Sequence, residues 1–149
     1  MTSGIELVRP PALSHAAPYA YAAVSDPGRM VFTAGACPLD ADGATVAVGD
    51  VAGQARQVMA NLVTALAAAG ATLTDVLKTT VYVATTDRDD LRTAWDVVRT
   101  AFGEHAAPST LVGVTVLGYP DQLVEVEAVA VRDSWPEPGP PGDGSTVGG

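Results

Sequence analysis

A chain of 149 residues is the length of one domain, and its 48% hydrophobic and 17% charged residues suit a packed core rather than a disordered polymer. A net charge of −9, from 8 basic and 17 acidic residues, argues against nucleic acid as a partner, because phosphate binding draws on clustered Lys and Arg. The single cysteine, Cys37, excludes an intrachain disulfide framework.

The opening MTSGIELVRPPALSH has no basic start leading into a long apolar run, so no secretory signal is expected. The most apolar stretch, VTALAAAGATL, is too short and too rich in Ala and Gly to span a bilayer. A soluble, cytoplasmic protein without a membrane partner is the expectation.

In chain order, GIELVRPP predicts a first strand stopped by Pro10 and Pro11, which lack a donor and fix φ. LSHAAPYAYAAV reads as part loop and part extended. After the turn signal at Asp26–Gly28, RMVFTAGACPLD reads as a strand that ends at Gly35 and Pro38. A helix is predicted from an Asp50 N-cap to Gly70, with Val51, Ala55, Val58, Leu62, Ala65, Leu66 and Ala69 on its apolar stripe. Gln54, Gln57, Asn61 and Thr64 are placed elsewhere around its axis.

TDVLKTTVYVAT, from Thr74 to Thr85, has the Val and Thr content of a strand. A second helix follows TTDRDD, buries Leu91, Ala94, Trp95, Val98 and Phe102, and ends at Gly103. STLVGVTVLGYP and LVEVEAVAVRD complete the order β, β, β, α, β, α, β, β. That order predicts an α+β domain over residues 1–133, with both helices on one face of a mixed sheet. With no helix left for the other face, self-association is the economical way to cover it. Residues 134–149, Pro- and Gly-rich, are expected to form a flexible tail.

The last strand carries the chemistry. Glu125 and Glu127 are two residues apart, so they share one face about 7 Å apart, opposite Val124, Val126, Ala128 and Ala130. A strand face in contact with water accounts for such a pair without any function. A carboxylate sheltered in a cleft is, by contrast, a general base.

Five segments set the choice: PYAYA from Pro18, VFTAGACPLDADG, DVAGQARQVMANLVTALAAAGATLTDVLKTTVYV, HAAPSTLVGV and LVEVEAVAV. In order and spacing they resemble the Rid family, the RidA-like enamine/imine deaminases also labelled L-PSP proteins, over roughly residues 15–132. The resemblance implies a chorismate-mutase-like subunit assembled as a homotrimer, with sheets lining a central β-barrel and three intersubunit clefts. In that family a tyrosine of PYSQA, backbone at an SGQ turn, an arginine of ARSC and the first Glu of EIEA form the site. The arginine clamps the substrate carboxylate, and the Glu positions the water that hydrolyses a C=N bond.

Carried over by position, Tyr19 matches the tyrosine, Gly35 the turn glycine, and Glu125 the catalytic carboxylate with Glu127 beside it. Ala36 and Cys37 continue the turn, and Tyr119 stands before the Glu strand, where it could close one side of the cleft. The chain departs from the pattern at Ser109, which takes the place of the arginine, and at Ala20 and Ala36, which replace polar residues. A serine offers one neutral hydrogen bond, worth about 1 kcal/mol, where a guanidinium offers charge-assisted bonds worth about 1.5–3 kcal/mol. Hydrolysis or tautomerisation of an imine or enamine is therefore expected, with little activity on imino acids derived from amino acids. The alternative is a trimer of the same fold that binds a small ligand without turning it over.

Cys37 is read as a small core residue, because no base that would activate it is identifiable. His15 reads as a surface histidine and His105 as a partner for the end of the second helix. One Cys and two distant His form no metal-ligand cluster, and GACPLDADG is no phosphate loop, so no cofactor is expected.

Overall fold

The computed structural model describes residues 4–133, so the tail expected over 134–149 lies outside the described residues. Its elements are β1 (Ile5–Val8), β2 (Ala22–Ser25), β3 (Arg29–Phe32), α1 (Val51–Ala68), β4 (Val76–Ala84), α2 (Arg88–Phe102), β5 (Ser109–Val114) and β6 (Val124–Arg132). β1 and β2 form an antiparallel ribbon, and the main sheet has the order β3-β6-β4-β5. β6 runs antiparallel to β3 and β4, whereas β4 and β5 are parallel. A parallel pair needs a crossover, and α2 supplies it.

The first helix begins where the sequence places it, and the second begins at Arg88, inside TTDRDD rather than after it. Asp50 accepts from Gly53 N at 3.0 Å and Asp87 from Asp89 N at 2.9 Å, so each aspartate satisfies a free N–H and sits at the positive end of its helix. Gly70 and Gly103, both with positive φ, follow the helix ends. Two strands are shorter than expected: β3 stops at Phe32 rather than running to Gly35, and the stretch from Thr74 starts as a 3₁₀ turn over Leu73–Asp75. There Asp75 accepts from Thr72 N at 2.8 Å, and the strand begins only at Val76.

The core lies between the helices and one sheet face. Val58, Leu62 and Leu66 of α1, and Ala94 and Val98 of α2, pack over Val81 and Val83 of β4 and over Val124, Val126, Ala128 and Ala130 of β6. Full burial of each such Val or Leu contributes about 1.5–3 kcal/mol. No helix covers the opposite face, and Phe32, which is paired with Val129, is 73% exposed there.

Candidate functional site

The alternation along β6 sets the site. Val124, Val126, Ala128 and Ala130 point under the helices, and Glu125 and Glu127 stand half-buried on the uncovered face. Two polar arrangements form there. Tyr82, opposite Glu125 on β4, reaches diagonally and donates its hydroxyl to Glu127 Oε1 at 2.6 Å. That bond, with some burial, raises the pKa of the phenol. On the same face Lys78 donates to Thr110 of β5, and burial lowers the pKa of its ammonium.

Glu125 meets the loop after β3. Cys37 Sγ lies 3.0 Å and Gln122 Nε2 3.4 Å from Glu125 Oε1. Oε2 receives no hydrogen bond from another described residue. A Cβ on Gly35 would stand 2.5 Å from Glu125 Cδ, so this position has room only for glycine. The loop is held from two sides. Ala36 exchanges backbone hydrogen bonds with Val126 at 2.7 and 3.2 Å, and Asn61 of α1 donates to the carbonyls of Cys37 and Leu39 at 2.8 and 2.9 Å.

Burial, and then the hydrogen bond and charge of Glu125, push the Cys37 thiol up to about 11. The residue read as a core filler is thus a protonated donor at the carboxylate, and the same shift makes it a poor nucleophile. Tyr119, exposed, joins Gly35, Cys37 and Asn61 around an open cleft of about 700 Å³.

Gly35, Ala36, Cys37, Glu125 and Tyr119 therefore gather at one end of β6, with Glu127 one step along. Tyr19 and Ser109 do not join them within a chain. Ser109 is in parallel register with Thr79, whose side chain is buried under the helices, and their hydroxyls lie 2.6 Å apart. Alternation thus turns Ser109 away from the face that carries Glu125. Tyr19 packs edge-on against Trp95 of α2, with ring centroids 6.0 Å apart, and Pro18 and Ser109 line one small cavity beneath α2.

Other residues differ from their expected places. The His105 ring nitrogen Nε2 lies 2.8 Å from the Val76 carbonyl oxygen, a strand group rather than a helix end. Gln54, placed off the apolar stripe, is fully buried. It donates to Asp121 O at 2.9 Å and accepts from Leu123 N at 2.7 Å, which fixes the turn leading into β6. Gln122, buried beside Glu125, also went unread; a polar residue one step before an apolar strand was its only signal. Among the described residues no His, Cys, Asp or Glu group could hold a metal, and no helix is long and apolar enough to cross a membrane.

Comparison with known proteins matches residues 10–132 to the family model described as endoribonuclease L-PSP. The chain belongs to this family. Among L-PSP relatives, a RutC family protein of Pyrococcus horikoshii is 37% identical over 106 residues, 71% of this chain and 82% of that protein. The 2-iminobutanoate/2-iminopropanoate deaminase of Salmonella typhimurium is 39% identical over 109 residues, 72% of this chain and 83% of its own length. The solved structure of the Rid family protein YyfB from Yersinia pestis superposes with a TM-score of 0.81 at 29% identity, covering 87% of this chain and 99% of that one. That of Escherichia coli TdcF with bound serine gives 0.61 at 36% identity, covering 78% and 90%. The L-PSP chain thus has the Rid fold expected from its sequence, and relatives named deaminases lie within reach of its sequence.

Proposed function

We propose that this protein hydrolyses the C=N bond of a small imine, or of the imine tautomer of an enamine, with Glu125 as the general base. The observation that carries this reading is the Glu125 carboxylate itself. One oxygen is held by Cys37 and Gln122, the other accepts no hydrogen bond from another described residue, and the carboxylate packs directly against Gly35, where no side chain would fit. In such a reaction Glu125 takes a proton from water as the oxygen adds to the imine carbon. That proton passes to nitrogen to give a carbinolamine. As this collapses, its hydroxyl proton is carried by Glu125 to the same nitrogen, the C–N bond breaks, and ammonia leaves as the C=O bond forms. The deaminases among the relatives support the same chemistry.

The site is completed by assembly. The uncovered sheet face, with Phe32 and the two glutamates, becomes the inside of a homotrimer, and a second copy brings Tyr19 and Ser109 towards Glu125. Ser109 supplies no permanent charge, so turnover of 2-iminopropanoate falls below that of relatives with an arginine there. The protein works in the cytoplasm. A ribonuclease role is not adopted, since 8 basic residues face 17 acidic ones in a chain that would have to hold a phosphate backbone.

The test is ammonia release from a panel of imines generated in situ, for wild type and Glu125→Gln. Turnover of at least one imine, lowered about 10²-fold or more in the variant, is expected. If no imine is hydrolysed above the buffer rate while small molecules still bind, the protein is a binding trimer and the proposal fails.

A further inference from the structure

The cavity beneath α2 has a charge opposite to that of the chain around it. In a protein of net charge −9, it is lined by Arg9 and Arg99, two of only 8 basic residues. No carboxylate among the described residues lines it. Arg9 donates one N–H to Ala17 O at 3.1 Å, which steadies its guanidinium and leaves its other donors available. The guanidinium of Arg99, in the last turn of α2, makes no ion pair or hydrogen bond with another described residue.

Thr79 and Ser109 line the same cavity as the two arginines. Ser109 and Thr79 share one hydrogen bond but carry two O–H groups, so one hydrogen remains to donate. Trp95 contributes an apolar wall, and His105, anchored on Val76, also lines the cavity. The cavity measures about 240 Å³, below the ~300–1,000 Å³ typical of sites for drug-sized ligands.

We propose that this cavity binds the carboxylate of a small organic acid through Arg9 and Arg99. Two forked donors and a hydroxyl match a carboxylate, and the apolar wall takes a short hydrocarbon chain. Its bearing on catalysis rests on the function proposed above. The guanidinium absent from position 109 is supplied from α2 and the N-terminal segment instead. Imines carrying their carboxylate on an arm long enough to enter this cavity are then the preferred substrates.

The experiment follows Trp95 fluorescence in the full chain with Trp135→Phe, which leaves Trp95 as the reporter, during titration with butanoate or its neutral counterpart butanamide. Saturable binding of butanoate, with no response to butanamide over the same range, is expected. Arg99→Gln weakens butanoate binding about tenfold or more, Arg9→Gln weakens it less, and Arg99→Lys is intermediate. Both arginines are exposed, so the variants keep the parent's circular dichroism spectrum. Equal responses to acid and amide, unchanged binding in both Gln variants, or preference for inorganic phosphate would each overturn the inference. Imine turnover without butanoate binding sinks only this inference. Butanoate binding without turnover of any imine sinks only the proposed function.

Discussion

Cys37 Sγ and Glu125 Oε1, 88 residues apart in the chain, lie 3.0 Å from each other. The contact makes the thiol a hydrogen-bond donor to the candidate base, and its proton is held to about pH 11 against an ordinary value of 9.0. Two pH units correspond to about a hundredfold less thiolate at pH 8.

Alkylation checks this directly, because the chain has one cysteine. Iodoacetamide should modify native wild type about a hundredfold more slowly at pH 8 than it does the urea-unfolded chain. The native rate should rise with pH until about 11. Glu125→Gln removes the neighbouring charge but not the burial, so it should speed native alkylation several-fold and still leave it below the unfolded rate. A native rate that levels off near pH 9 contradicts the assignment.

Gly35→Ala tests the close approach. The φ of Gly35 is not positive, so the backbone accepts alanine, and the added Cβ meets Glu125 Cδ at 2.5 Å. A loss of about 1–3 kcal/mol in stability is expected from such overpacking. Imine turnover should fall at least tenfold in the same variant. Thermal melts and kcat/KM separate the two effects.

Gln54→Leu keeps the volume but strands the Leu123 N–H and the Asp121 carbonyl under α1. The expected cost is about 2–4 kcal/mol, read by urea unfolding. Amide exchange at Leu123 should quicken more than at Leu62, since the turn loosens before the helix does.

Phe32→Asp places a charge on the uncovered sheet face without touching the core. Sedimentation should show a mass of three chains for wild type and one for the variant, with helix content retained. A wild-type mass of one chain would remove the assembly on which the proposed cleft depends.

Much of the fold was legible because its signals are local. The period of two in β6, the Asp50 and Asp87 caps and the glycines after each helix all fix backbone within a few residues. The 3₁₀ turn at Leu73–Asp75 escaped because the Thr72–Asp75 capping box lies inside a stretch whose composition suits a strand. The site was half legible. Glu125 follows from alternation, but the side to which Ser109 points depends on its register with Thr79, fixed by an entire helical crossover between them. Gln54 is buried for a similar reason, since its partners come from a turn almost seventy residues away. The cationic cavity collects Arg9 and Arg99 from the N-terminal segment and from α2, and no spacing rule joins them.

The strict in-and-out order of Val124 to Ala130 also protects the protein against misalignment. Sliding β6 by one position against β4 would drive two carboxylates beneath the helices and lift four aliphatic side chains into water. The residues proposed to do chemistry therefore act as a key for correct strand pairing. An insertion or deletion of a single residue in this strand should cost the whole fold before it costs the activity.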